Sequence, residues 1–584
     1  MRRITIVKTI TLSGALTIAL GACSTATVAQ SEDPRVVIIR EEAPVIEDSD
    51  SQISVSEQSD LVFNILSAEI AGRRGLVDIA SQNYFAASNA TDDPRVTERA
   101  VKLALYSRDW QLASDASARW VELAPENVEA WQFRAQATMQ VKDVDTATAA
   151  MERVVELSDG QPGEVIPSLV DSILRQSDAD VGSELLQRLA ERFPDSADAQ
   201  YGIGRFALTR GERELALEAF ERALAIDPDN AGTLLERARL QVLSGDGDSA
   251  LEPVVSYLSQ SPDDLNTQLG YVRLLIESGK FDRAAERFEL IEDTFPHDAD
   301  ALYTIGLMAL DIKRFESAES YLMSVVTLDN HQDNAYYYLG RISDSRREYR
   351  EAIERYTNVQ SGDNFFDAQI RAAELYGVIG EVDDGRKLIA NLRGFTDEKS
   401  VQIELITSES RMLSGNDMYE ESFDVLTGGL DQYNDDPALL YSRALVADAL
   451  DQSDVFEADL GKVIQLQPEN GYALNAFGYF LADRDERLDE AQGYLELAHK
   501  LLPEDAAVTD SLGWLYYRQG KFEESIELLR RAYEMMADSE IAAHLGEVLW
   551  VSGDQASATK VWEEALRETP DHDVLNSTMK KYTR

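Results

Sequence analysis

The chain has 584 residues, too many for one ordinary hydrophobic core, so it is either several domains or a repeat array. Hydrophobic residues make up 44% and prolines number only 15, which excludes a largely disordered or collagenous chain. The formal charge is −51, from 106 acidic and 55 basic residues; such a surface repels phosphate backbones, arguing against nucleic-acid binding, and offers no polybasic patch for anionic lipid.

The amino terminus begins MRRITIVKTITLSGALTIALGAC. Arg2, Arg3 and Lys8 form a positive start, and residues 9–20 an apolar run too short to span as an ordinary transmembrane helix. Leu20-Gly21-Ala22 then lead into Cys23, the sole cysteine, so no disulfide and no multi-thiolate zinc site can form. The sequence LGAC resembles the lipobox of bacterial lipoproteins. That resemblance implies a signal peptide over 1–22, removed in the mature protein, and a lipidated Cys23 whose acyl chains hold the chain on a membrane. The competing reading is a plain secretory signal cut near Ala29, with Cys23 lost. Ser24, rather than aspartate, follows the cysteine, which by the same resemblance suggests the outer membrane. Residues 23–60 are rich in Ser, Asp and Glu and are expected to be a disordered acidic tether.

From residue 61 a period governs the chain. Ala216, Ala250, Ala284, Ala318 and Ala352 recur at steps of 34 residues, and Pro228, Pro262 and Pro296 keep the same step. This is the tetratricopeptide pattern of paired helices. In one unit, Ile203, Gly204 and Ala207 fall on the first helix (A), and Ala216, Phe220 and Ala223 on the second (B). Small residues let the helices approach, Phe220 fills space between hairpins, and Pro228 ends the unit. The pattern predicts repeats over 61–360, weaker ones over 361–436 and a second regular set over 437–572. In the weak stretch alanine and proline slip out of register, which fits either a bend in the stack or divergent repeats. Gly478 to Ala491 is one residue longer than usual, placing an extra residue in that turn. Residues 573–584 read as a capping helix with a basic end. The expected fold is all-α: a superhelical solenoid of about fifteen helical hairpins.

Catalytic signatures are lacking. No GxxxxGK[ST], GxGxxG or GxSxG motif occurs, and the histidines (His297, His331, His499, His544 and His572) are scattered without metal-ligand spacing. Asp246-Gly247-Asp248 reads as a hairpin turn rather than a calcium loop, lacking the later bidentate glutamate. The reading is therefore a non-enzyme with no catalytic or metal residues and no cofactor. Binding is expected on helix A, which lines the inner face of such stacks. In the last repeats, the helix-A positions left over from packing hold Asn475, Tyr479, Asp510, Trp514, Tyr517, Glu547 and Trp550. Aromatic rings beside carboxylates and an amide make a protein-binding groove, unless some rings merely pack between hairpins. Tyr201, Arg205, Tyr303, Tyr337 and Arg341 extend the same register.

The segment NAFGYFLADRDERLDEAQGYLELAHKLLPEDAAVTDSLGWLYYRQGKFEESIELLRRAYE, continuing through EIAAHLGEVLWVSGDQASATKVWEEAL, resembles proteobacterial tetratricopeptide lipoproteins of the LbcA type. So does AEIAGRRGLVDIASQNYF near the start. That resemblance implies an outer-membrane, periplasm-facing adaptor that activates a carboxy-terminal-processing protease. It would present that protease with substrates such as peptidoglycan hydrolases. Another reading is a lipoprotein that assists assembly of outer-membrane proteins, pili or secretins, or that regulates a cell-wall synthase.

Overall fold

The computed structural model describes residues 55–158, 162–245 and 247–583. The leader, Cys23 and most of the expected tether lie outside them, as does Asp246 of the Asp-Gly-Asp turn. The described helices fall into two compact units, one ending at Pro296 and the other beginning at His297.

The first unit holds seven hairpins. They are α1 (Val55–Arg73) with α2 (Val77–Ser88), α3 (Pro94–Tyr106) with α4 (Trp110–Leu123), and α5 (Val128–Gln140) with α6 (Val144–Leu157). Next come α7 (Pro162–Gln176) with α8 (Ala179–Arg192), and α9 (Ala197–Thr209) with α10 (Arg213–Ile226). The last are α11 (Ala231–Leu243) with α12 (Glu252–Gln260), and α13 (Leu265–Glu277) with α14 (Phe281–Thr294).

The second unit holds eight hairpins and a final helix. They are α15 (Ala299–Asp311) with α16 (Phe315–Val326), α17 (Gln332–Ser345) with α18 (Tyr349–Thr357), and α19 (Phe365–Val378) with α20 (Val382–Arg393). Then follow α21 (Lys399–Ser414) with α22 (Tyr419–Gln432), α23 (Pro437–Ala449) with α24 (Ser453–Leu466), and α25 (Gly471–Asp483) with α26 (Leu488–Leu501). The series closes with α27 (Ala506–Arg518) and α28 (Phe522–Met535), α29 (Ser539–Ser552) and α30 (Gln555–Glu568), and the single α31 (Asp573–Tyr582). Odd-numbered helices are A and even-numbered are B. The fold is the all-α helical-hairpin array that the period predicts. In each unit the substantial packing joins helices one or two places apart in the chain.

Local chemistry explains these joints. Between a helix B and the next helix A the chain often reads Pro-x-Asn or Pro-x-Asp. Proline cannot continue helix B, and the Asn or Asp two residues on caps helix A. Asn230 Oδ1 accepts from the Thr233 amide at 2.9 Å, Asn470 Oδ1 from Ala473 at 3.1 Å, and Asp505 Oδ1 from Val508 at 3.0 Å. Within a hairpin, the turn from A to B requires one left-handed residue. Gly211, Gly245, Gly279, Lys313 and Arg347 hold it at the same 34-residue step, all with positive φ. Two of these five carry a Cβ that this conformation disfavours.

The periodic alanines are all buried, and each unit's core forms where helices A and B meet. A Cβ on Gly204 would stand 2.3 Å from the Phe220 ring, and one on Gly546 2.0 Å from the Trp562 indole. Each glycine thus leaves a socket for a large side chain sixteen residues later, which is closer packing than the expected backbone approach. At Gly478 the partner is Leu495, seventeen residues on, because the α25–α26 turn carries its extra residue. Both Asp485 and Arg487 in that turn have positive φ.

One expectation needs correction. The tether does not run to residue 60, because α1 begins at Val55. Leu61, Ala68 and Ala71 bury one side of that helix, while Phe63, Leu66 and Ile70 stay exposed on another. The stretch 361–436 contains four ordinary helices, α19 to α22. Its small positions have changed identity: Gly385 and Gly377 both pack against Met412, so the hairpins persist without the alanine–proline signature.

Candidate functional site: the A-helix face of the last repeats

Helices α25, α27, α29 and α31 pack in succession within the second unit. Because 3.6 residues make a turn, Asn475, Tyr479 and Asp483 form one stripe on α25, and Asp510, Trp514 and Arg518 one on α27. The structure brings the seven sequence-predicted residues of this face into two adjoining clusters.

The first cluster is centred on His544. Its Nδ1 lies 2.8 Å from Asp510 Oδ2, and both side chains are buried. With an ionised carboxylate the imidazole donates this bond. The Trp514 indole stacks on the imidazole with ring centroids 4.2 Å apart, and Tyr479 lies 6.1 Å away. Burial pulls the His544 pKa down, but the Asp510 charge and hydrogen bond, helped by Glu540 and Asp483, more than reverse it, and the net shift is upward. Burial also pushes the Tyr479 hydroxyl well up, as do the negative charges of Asp483, Asp510, Glu540 and Asp448. Three buried polar atoms here have no hydrogen-bond partner: Asn475 Oδ1, Asp510 Oδ1 and Trp514 Nε1.

The second cluster is centred on Glu547. Its Oε1 accepts from the Tyr517 hydroxyl at 3.2 Å and the Tyr582 hydroxyl at 2.8 Å, and lies 3.2 Å from the Lys581 ammonium. Burial, and then the bond to Glu547, push the Tyr582 hydroxyl up to about 12. Trp550 stacks on Trp562 at 5.7 Å and lies 6.3 Å from Tyr582. The terminal helix α31 is thus pinned to α29 through a residue expected to face a partner.

The expectation that these side chains stand free on a groove is therefore corrected for four of them. Tyr479, Asp510, Trp514 and Glu547 are buried, because successive A helices with large inner side chains cover one another and α31 covers the last. Asn475, Tyr517 and Trp550 are half-buried and form a rim. His544, one of the histidines scattered without metal-ligand spacing, organises the first cluster. The repeat period was the available signal: Asp510 and His544 are 34 residues apart, as are Glu547 and Lys581.

The other predicted residues lie elsewhere. In the first unit, Arg205 donates to the Tyr201 hydroxyl at 2.9 Å and lies 3.5 Å from Glu236. In the second, Tyr303 stacks on His331 at 4.5 Å, and the Arg341 guanidinium lies 5.8 Å from the Tyr337 ring centroid. Among the described residues no group of three or more His, Cys, Asp or Glu is arranged to hold a metal ion. No described helix is long and apolar enough to cross a membrane.

These features define a class: an all-α array of helical-hairpin repeats whose A helices pack in succession. The chain belongs to the tetratricopeptide-repeat family. The family's sequence model matches residues 169–231, 272–332, 481–540 and 511–573. A curated relative, the TPR repeat-containing protein PA4667 of Pseudomonas aeruginosa, is 36% identical over 531 residues, covering 90% of this chain and 89% of that protein. Among solved structures, the APC/C hetero-tetramer Cut9-Hcn1 aligns over 91% of this chain and 99% of that one, with 12% identity and a TM-score of 0.34. Yeast Tom70 aligns over 90% and 100%, with 15% identity and a TM-score of 0.31. MamA from Desulfovibrio magneticus RS-1 aligns over 29% and 97%, with 21% identity and a TM-score of 0.26. Proteins of this fold typically serve as non-enzymatic scaffolds that bind protein partners.

Proposed function

We propose that this chain is an outer-membrane lipoprotein adaptor, held facing the periplasm by a lipidated Cys23. It binds and activates a carboxy-terminal-processing protease and presents that protease with substrates such as peptidoglycan hydrolases. The observation that carries the adaptor reading is a tetratricopeptide-repeat fold whose A-helix face carries a half-buried rim of Asn475, Tyr517 and Trp550. Such side chains bury large area at low entropic cost. The lipobox-like LGAC sequence supports the anchor, and the resemblance of residues 475–566 to LbcA-type lipoproteins supports the protease partner.

The test is affinity purification of the native protein from its own envelope. A carboxy-terminal-processing protease as the dominant partner is expected. Envelope-assembly machinery or a wall synthase without a protease would overturn the protease reading and leave an assembly role. The Cys23→Ser variant is expected in the soluble periplasmic fraction; retention in the membrane would remove the anchor.

A further inference from the structure

The first cluster contains more acceptors than its own donors satisfy. Asp510 gives one oxygen to His544 and keeps the other buried without a partner. Asn475 Oδ1 is in the same state. Asp483, half-buried one turn beyond Tyr479, has no ion-pair partner among the described residues. The neighbouring cations are already engaged: Arg484 with Asp448 at 2.8 Å, Arg518 with Asp485 at 3.5 Å, and His544 with Asp510. Two donors are also left over, the Arg484 Nε–H and the Trp514 indole N–H, the latter on a side chain only 5% exposed. Leaving such groups buried and unpaired forfeits the hydrogen bonds they make with water in the unfolded chain, so a ligand that pairs them gains what the fold has lost.

We propose that the A-helix face of α25 and α27 receives a basic side chain, lysine or arginine, from an extended segment of a partner protein. This rests on the reading that the A-helix face is the scaffold's binding face, and it names the partner's chemistry. The ammonium or guanidinium meets Asp483 at the half-buried rim and the free oxygen of Asp510 beneath. The aliphatic stem lies over the narrow exposed edges of the Tyr479 and Trp514 rings. A backbone carbonyl of the same segment accepts from the Trp514 indole. A carboxylate ligand is disfavoured, because Asp448, Asp483, Asp510 and Glu540 all bear on this spot. The chain's net charge of −51 adds long-range attraction for a basic segment.

The test titrates the full purified chain with short synthetic peptides of serine and tyrosine that carry a central lysine, arginine, norleucine or glutamate. Binding is followed through the Trp514 indole N–H resonance, assigned with Trp514→Phe. The lysine and arginine peptides are expected to bind about tenfold more tightly than the norleucine peptide and to shift that resonance. Asp483→Asn, at the half-buried rim, is expected to reduce the preference severalfold, and Asp510→Asn to abolish it. Glu563→Gln, which removes one exposed charge from α30, is expected to leave it intact. Equal binding of lysine and norleucine peptides, or an equal loss in Glu563→Gln and Asp483→Asn, overturns the proposal. If no peptide binds while the native partner still co-purifies, this site falls and the scaffold reading stands. If lysine peptides bind as expected but nothing co-purifies, the site stands and the scaffold reading falls.

Discussion

The hairpin of α9 and α10 and the face formed by α25, α27 and α29 share one register but fill it with opposite chemistry. In the first, Gly204 opens a socket, Phe220 fills it, and Ala207, Ala216 and Leu240 seal it. In the second the same sockets recur, Gly546 holding Trp562 and Gly478 holding Leu495, but the neighbouring A-helix positions carry an ion pair, an amide, two tyrosines and a tryptophan. The difference teaches that repeat packing fixes where a side chain sits and leaves open what it must be. An apolar socket accepts any side chain of the right volume and serves stability alone. A polar one needs each group partnered, and the last repeats leave some groups unpartnered.

The comparison can be broken first where the effect is largest. Phe220→Ala is expected to cost about 3–5 kcal/mol, with no dependence on pH, because it empties an apolar socket. Urea unfolding followed by circular dichroism, with hydrogen exchange to localise the loss to α9 and α10, checks this. A loss below about 1 kcal/mol would mean the socket collapses freely.

The polar face is expected to respond to pH instead. The His544 pKa in the fold lies above its ordinary value. Its stabilising contribution is therefore fully present below about pH 6.5 and is lost as pH rises through the raised value. Asp510→Asn is expected to cost about 2 kcal/mol on the acid side and progressively less toward alkaline pH. Unfolding midpoints of both forms across that range test the slope; parallel curves would show that the pair does not titrate with folding.

Glu547→Gln sharpens the contrast at the chain's end. It weakens the bonds from Tyr517, Tyr582 and Lys581, and is expected to cost about 1–2 kcal/mol, localised to α31. Faster amide exchange in α31 with unchanged α25 is the expected pattern. The smallest effect is expected in a turn: Lys313→Gly relieves a left-handed conformation and should stabilise its hairpin by about 0.5 kcal/mol. A measurable loss would show that the lysine side chain makes a contact that outweighs the strain.

Much of the array could be read from residues alone. The alanine and proline steps give the hairpins, because both positions are fixed by helix contact and helix ending, which tolerate few residue types. The left-handed turn was harder to see, since Lys313 and Arg347 occupy a site that glycine marks elsewhere. The repeats between 361 and 436 lost their signature when Met412 took over contacts at Gly377 and Gly385. On the candidate site, helix periodicity placed Asn475, Tyr479, Asp510, Trp514, Tyr517, Glu547 and Trp550 on the correct helices. It did not reveal burial, because burial depends on the size of side chains one repeat away. His544 escaped notice for the same reason: its partner is distant in sequence and adjacent in space.

The near-neighbour packing of the helices also bears on how the chain comes to exist. Within each unit, a hairpin closes over a turn of a few residues and then settles on the hairpin made just before it. No helix must wait for a distant segment to be synthesised, so the loops closed during folding stay short. Growth of this kind proceeds from any formed pair, like a zipper with many starting teeth. A chain interrupted part-way through synthesis would carry finished hairpins behind the break, with one uncovered apolar edge for quality control to find.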